Sequence, residues 1–541
     1  MKLTRRGTAE NRAEWAEKGY ALPDYDVDQM VRATAAAPEW VHFGAGNLFR
    51  ALPAALCDWA LNAGRTQSGI IVASGYDAGM LEAAYRPFDN LFVLVSLKPE
   101  GAEKRVVASI AEALSMRRAH PDWARLCEVF RSPSLKVASL AITEKGYNLE
   151  GADGRPLPEA ARDYDAGPSR AEGYLGRIAA LLYERYLAGA LPLSLVSMDN
   201  CAKNGDRLRG AMEAYARAWV AGRLAAPDFL RYLEDRDRVG FPVTMVDKIT
   251  PRPDDGVAAM LEADGMEDAR AVRTEAGSLA APFVNAEPAQ YLVVEDWFPN
   301  GRPEISGAPG AVFARREAVV RAERMKVCAL LNPLHTALAV FGCLTGHTRI
   351  ADEVRDALMI RLVRTLGERE GLPTVEPCAL DPKGFLESLI RERLPNPRLP
   401  DSPQRIAADT SQKVAVRFGE TIRAHMERDG LSVDDLMAVP LVIAGWLRYL
   451  LAVDDAGNPF RPSPDPRLSE LQTALSGVRL GDSGPFPQLR PILSDKTIFG
   501  LDLYEAGLGG RIEGYFAEML TGPGAVRRAL ERHLPGGSIA M

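Results

Sequence analysis

Trp40-Val-His-Phe43-Gly44-Ala-Gly46-Asn47-Leu-Phe-Arg50 is an apolar run that breaks into two glycines and then enters a helix-like stretch over residues 54–61. Such a run reads as a short buried strand. Gly44 and Gly46 permit a tight turn on which backbone N–H groups can approach a pyrophosphate, whose charge the start of the next helix favours. Phe49 stands where a third glycine of this pattern usually falls, so the segment also fits a plain strand-to-helix turn.

Outward from this turn, further apolar runs at residues 70–74, 91–97, 135–142 and 193–197 alternate with helix-like stretches at 122–130 and 171–188. That alternation predicts an α/β domain with a doubly wound parallel sheet of Rossmann type, preceded by a polar, helical extension over residues 1–38. Beyond Arg315 the apolar positions recur at helical spacing over 318–344, 351–366, 414–428 and 436–451. The reading is therefore two domains, 1–310 and a mainly helical 311–541, divided where Gly, Ala and Pro cluster at 307–310. No internal repeat is visible.

The chain has 541 residues, 47% hydrophobic and 25% charged, so it is globular and longer than one core usually organises. Its net charge of −7 argues against a nucleic-acid partner, which would need a basic footprint. Six cysteines lie far apart with no CxxC, which points to reduced thiols in a cytoplasmic enzyme and to no zinc site. Residues 1–15 lack the apolar core of a signal peptide. Residues 327–346 are apolar, but Asn332, Pro333 and His335 interrupt them, so a buried helix is expected and no membrane partner. Nothing in the sequence fixes an oligomeric state.

Two polar clusters follow expected strands: Thr143-Glu144-Lys-Gly-Tyr147 and Ser197-Met-Asp199-Asn200. In an open α/β sheet both would face the ligand crevice beyond the strand ends, although Lys-Gly and Asp-Asn are also ordinary turn pairs. Ser74-Gly75-Tyr76-Asp77 closes the second strand without an acid clearly placed for an adenosine ribose, so NAD and NADP both stay open. Asp247 and Lys248 sit among apolar neighbours, where a structural ion pair is the simpler reading of that segment alone. In Glu323-Arg-Met-Lys326 through Asn332-Pro333-Leu-His335, four proton-carrying or hydrogen-bonding side chains interrupt an apolar helical pattern. Buried groups of that kind are costly unless paired or used, so this cluster reads as a site.

Taken together, Gly44-x-Gly46-Asn47-x-x-Arg50, Thr143-Glu144-x-Gly-Tyr147, Asp199-Asn200, Met245-Val-Asp247-x-Ile-Thr-Pro251, Glu295-Asp-x-Phe-x-x-Gly-Arg-Pro303 and Lys326 with Asn332-x-x-His335 resemble the long-chain mannitol dehydrogenase family. The likeness runs from about residue 40 to 425, through Arg393-Leu-Pro-Asn-Pro397 and Asp409-Thr-Ser-Gln-Lys413. It implies a metal-independent NAD(P) enzyme with a Rossmann domain, a helical domain and an active site between them, acting on a sugar acid or polyol. By that resemblance Lys326 is the general acid/base. Asn200 and Asn332 donate to the reacting oxygen, His335 positions it, Glu323 serves proton passage, and Asp247 supports the site. Gly44, Gly46, Asn47, Arg50, Thr143 and Glu144 fall to the cofactor, Arg393 and Lys413 to the substrate.

These residue types suit hydride addition to a ketone, in which amide donors stabilise the developing alkoxide and a lysine ammonium delivers a proton. The reaction expected first is the interconversion of D-fructuronate and D-mannonate, with tagaturonate reductase, mannitol 2-dehydrogenase, or a non-catalytic dinucleotide-binding regulator as alternatives.

The interval from Lys326 to His335 is nine residues, one more than the family usually shows. At about 100° per residue, nine steps put the two side chains roughly 180° apart on a regular helix, whereas eight leave them roughly 80° apart. Pro333 cannot donate to the Ala329 carbonyl and its ring crowds it. A π-bulge between Lys326 and Asn332 is therefore expected, or a helix restarted at Asn332.

Overall fold

In the computed structural model, which describes residues 1–536, Trp40–Phe43 (β1) is a strand buried at every position. Ile70–Ser74 (β2), Ile110–Ser115 (β3), Val137–Leu140 (β4), Leu193–Ser197 (β5) and Val239–Gly240 (β6) join it in parallel, in the spatial order β3-β2-β1-β4-β5-β6. This is the strand order of a dinucleotide-binding sheet. The central strands are buried at every position because crossover helices cover both faces of the sheet.

Those helices include Ala55–Asn62 (α1), Asp122–Arg131 (α2), Tyr174–Leu187 (α3) and Asn204–Ala221 (α4). Successive β1 side chains point to opposite faces. Val41 and Phe43 thus pack with Phe130, Ile178 and Trp219 on one side, and Trp40 packs with Leu52, Leu56 and Val72 on the other.

Residues 91–97 do not enter the parallel sheet as expected. Phe92–Lys98 pairs antiparallel with Gly101–Val107 and parallel with Phe283–Ala286 in a separate four-stranded sheet. Only Pro99 and Glu100 separate the first two strands, and a loop that short joins antiparallel neighbours, never parallel ones. The third parallel strand is Ile110–Ser115, which the apolar pattern had not revealed.

The chain divides into two compact units at Val320/Arg321, beyond the boundary expected at residue 310. Ala311–Ala314 pairs in parallel with Tyr291–Glu295, and that pairing keeps the stretch after 310 with the first unit. The second unit is built from helices, and among the described residues its strand-type pairing is one isolated bridge, Val453–Pro459. A helical rod, Arg316–Leu344, is long and apolar enough by composition to cross a membrane, with a mean hydropathy of 1.7, but 78% of that apolar window is buried in the protein. It forms a core helix whose last part, Leu331–Leu344 (α5), packs against Ala438–Leu450 (α6). Gly445 makes the approach possible, since a Cβ there would lie 2.7 Å from Phe341 Cζ.

Candidate active site

In the first unit the turn after β1 walls a cavity of about 640 Å³. Gly44 holds φ at +121°, and a Cβ on it would meet the Ala141 carbonyl oxygen at 3.3 Å. Gly46 needs no special φ, and its Cβ position is open space. Glycine there leaves room for a ligand at the backbone, as a pyrophosphate requires. The cavity also takes in Thr143, Asp199, Arg252 and Arg273. Its volume, its open backbone and its two arginines fit a dinucleotide.

His42, fully buried in the wall, has Nδ1 2.7 Å from Ser139 Oγ, which already accepts from Trp40 Nε1 at 2.8 Å. Burial lowers the His42 pKa to about 3, so the ring is neutral.

The structure gives two of the expected cofactor residues other work. Arg50 is fully buried on a π-helical turn, Arg50–Ala54, that the sequence did not announce. Its guanidinium donates to the Ala281 carbonyl at 2.7 Å and to Asn47 Oδ1 at 2.8 Å, and lies 5.7 Å from the Tyr85 and Phe92 ring centres. It clamps the scaffold behind the turn. Glu144 points outward and pairs with Arg207 at 2.9 Å. Asn47 lines the cavity and donates to the Pro251 carbonyl at 3.0 Å, tying the turn to the segment that carries Arg252.

Thr143 lines the cavity at φ +72°, a conformation unusual for a β-branched residue. Asp199 maintains it: its carboxylate accepts the backbone N–H of Ile142 at 3.0 Å and of Thr143 at 2.7 Å, and the Tyr147 hydroxyl at 2.5 Å. Burial and the Asp199 charge push the Tyr147 hydroxyl well above its usual pKa, so it stays a donor. The sequence brought Asp199 forward only as the neighbour of Asn200. The spacing of a Thr-Glu pair and an Asp-Asn pair at the ends of adjacent strands was the signal available.

Asn200 is exposed just after β5, in the loop that leads into α4. Asn204 fixes that loop, donating to the Asp199 carbonyl at 2.9 Å and to Thr244 Oγ1 at 2.7 Å. Thr244 begins the strand Thr244–Asp247, at whose end Asp247 is buried opposite Tyr291. Asn204 thus couples the strand bearing Asp247 to the loop bearing Asn200.

In the second unit, Glu323, Lys326, Asn332 and His335 lie on one helical rod. Lys326 is 1% exposed, whereas Glu323, Asn332 and His335 are half-buried. Between Arg316–Arg324 and α5 the rod becomes a π-helix over Met325–Leu330, where the Leu331 N–H donates to the Lys326 carbonyl five residues back. The expected bulge is present. It takes up the additional residue, so the nine-residue interval behaves as eight and Lys326 and His335 come back to within roughly 80°. Beside the bulge the Cys328 carbonyl accepts from Thr421 Oγ1 at 3.2 Å, and the Ala329 carbonyl oxygen abuts Gly371, where a Cβ would lie 2.3 Å from it.

Arg393 is buried at the end of a π-helical turn, Leu389–Arg393. Lys413 donates to the Ala408 carbonyl, and burial first, then the charge of Arg417, lowers its pKa.

With this geometry in view, residues 38–307 match the mannitol dehydrogenase Rossmann domain and residues 319–513 the mannitol dehydrogenase C-terminal domain. The chain belongs to the mannitol dehydrogenase family. This is a family of metal-independent secondary-alcohol dehydrogenases. It is 47% identical to a D-mannonate oxidoreductase of Thermotoga maritima over 98% of both chains. It is 29% identical to a D-mannonate oxidoreductase of Escherichia coli, over 86% of this chain and 89% of that one. Among solved structures it resembles Pseudomonas fluorescens mannitol 2-dehydrogenase in ternary complex with NAD and D-mannitol. That match has a TM-score of 0.68 and 26% identity, covering 98% of this chain and 99% of the other.

Proposed function

We propose that this family member is an NAD-dependent reductase interconverting D-fructuronate and D-mannonate in the cytoplasm. The observation that carries the substrate assignment is the 47% identity, over 98% of the chain, to a protein named D-mannonate oxidoreductase. NAD is supported by the cavity at Gly44 and Gly46 and by the NAD-bound relative. The absence of CxxC among six free cysteines supports a reducing compartment.

Gly44, Gly46, Asn47 and Thr143 line the cavity that would hold NAD, which when bound would supply or accept the hydride. Lys326 gives its ammonium proton to the ketone oxygen as that oxygen becomes an alkoxide, and takes it back in the oxidative direction. Asn332 donates its side-chain N–H to that oxygen, a role the family resemblance gives to Asn200 as well. Amide donors fixed in a water-poor site stabilise developing charge without reorganising. His335 orients the substrate oxygen, and Glu323, one turn before Lys326, passes protons between the lysine and solvent. Asp247 positions the site from its buried strand end. The π-turn supports this assignment, because it is what brings Lys326 and His335 back toward one face.

The test is NADH and NADPH oxidation against D-fructuronate, D-tagaturonate and D-fructose. The expected result is turnover of fructuronate with NADH at a kcat/KM at least tenfold above the other pairs. Preference for tagaturonate or fructose would move the enzyme to those activities, and tight NADH binding without turnover would make it a regulator. Lys326→Ala should lower kcat by orders of magnitude with the NADH Kd unchanged; unaltered kcat removes Lys326 from its role.

A further inference from the structure

Arg417 lies on the π-helical turn Ala415–Gly419 and donates Nη1 to Thr336 Oγ1 at 2.5 Å. Thr336 follows His335 directly, and its hydroxyl donates in turn to the Asn332 carbonyl at 3.0 Å. The guanidinium is therefore fastened to the turn of helix that carries Asn332 and His335. Its position owes nothing to local sequence, since Thr336 is 81 residues away.

Among the described residues Arg417 has no counter-charge. Burial lowers its pKa to about 10 with no carboxylate acting to raise it, and among the described residues its protein partner is a single hydroxyl. A guanidinium carries five N–H donors. Lys413, one turn earlier, is depressed partly by the Arg417 charge itself, so the two cations stand close enough to repel. Asp465, one of the acids that favours the Lys413 ammonium, is already held by Ser411, which donates its N–H at 2.7 Å and its hydroxyl at 2.5 Å. Lys413 also has the Asp409 charge beside it, so the unmatched cation is Arg417, and withdrawing a guanidinium from water without an opposite charge is costly unless an anion completes the arrangement.

We propose that Arg417, backed by Lys413, receives the carboxylate of the sugar-acid substrate and sets the preference for an acid over a neutral polyol. A planar guanidinium matches a carboxylate with two parallel N–H···O bonds, and Thr336 fixes the plane from which they are offered. The proposal rests on the reading of Lys326, Asn332 and His335 as the reacting site.

The experiment compares D-mannonate with its uncharged amide, D-mannonamide, as substrates of the full-length enzyme with NAD, alongside the NADH Kd by calorimetry. In the native protein KM should favour the acid by about 10- to 100-fold, the value of a charge-assisted pair. Arg417→Gln should raise KM for mannonate by about the same factor and leave KM for the amide and the NADH Kd unchanged. Arg417→Lys should recover part of the preference. Thr336→Val, which keeps the charge and frees the guanidinium, should weaken mannonate several-fold, and it keeps the proposal testable if Arg417→Gln fails to fold. Equal KM for acid and amide in the native enzyme, or an undiminished preference in Arg417→Gln and Thr336→Val, overturns the proposal. No turnover of mannonate or fructuronate by the native enzyme with either cofactor would instead overturn the functional reading.

Discussion

The Asp199 carboxylate accepts the backbone N–H of Thr143 at 2.7 Å and so holds that residue at φ +72° on the wall of the nucleotide cavity. Asp199→Asn would turn one acceptor oxygen into a donor facing N–H groups. Hydrogen bonds to a charged group contribute about 1.5–3 kcal/mol. The expected outcome is a loss of that order in urea-unfolding free energy, with the NADH Kd raised about tenfold. A variant with wild-type stability and affinity would show that the strained turn does not need its carboxylate.

The two glycines of the nucleotide turn should fail differently. Gly44→Ala forces a side chain into φ +121° and against the Ala141 carbonyl, at a cost of about 1–3 kcal/mol, so its Tm should fall. Gly46 has ordinary backbone angles and open space at its Cβ position. Gly46→Ala should keep the wild-type Tm and lose NADH affinity, because the new methyl occupies ligand space. Calorimetry of folding and of binding on the two variants separates these outcomes.

The π-turn depends on its neighbours. Gly371→Ala would put a Cβ 2.3 Å from the Ala329 oxygen, and overpacking of this kind costs about 1–3 kcal/mol. Thr421→Val removes the donor to the Cys328 carbonyl, worth about 1 kcal/mol. Both variants should lower kcat more than they raise the NADH Kd, because the bulge sets the Lys326 facing. Steady-state kinetics with NADH titration would show whether that split occurs.

Glu353 is fully buried, among the described residues neither of its oxygens has a hydrogen-bond partner, and burial, then the Asp356 charge, pushes its pKa well above the carboxylate range. Between the unfolded pKa, about 4.3, and the raised folded value, the native state holds a proton that the unfolded chain has released. Stability contributed by this group therefore falls as pH rises through that window. Glu353→Gln removes the dependence. Its Tm relative to wild type should be higher at pH 8 than at pH 5, and a pH-independent difference would count against a protonated Glu353.

Much of this was legible in one dimension. Alternating apolar runs and helical stretches announce a parallel sheet, because parallel strands buried on both faces are largely apolar and need crossover helices. Residues 91–97 misled because a fully apolar strand looks the same in either sheet, and only the pairing of Phe92–Lys98 with Gly101–Val107 distinguishes them. The motifs that place Arg50 and Glu144 with the cofactor record neighbourhood along the chain, whereas their contacts with Ala281 and Asn47 and with Arg207 depend on which way a guanidinium or carboxylate turns.

By itself the sequence determined the glycine turn after β1, the set of proton carriers on an apolar helix, and an interval of nine residues from Lys326 to His335 that no regular α-helix could reconcile with one face. Those are consequences of backbone geometry and local sterics, which act within a few residues. The tertiary structure alone decided that Arg50 is a clamp, that Asp199 sustains the Thr143 turn, and that Arg417 is anchored to Thr336 without a carboxylate partner among the described residues. Burial and counter-charge are set by groups tens to hundreds of residues distant, and only folding brings those within range.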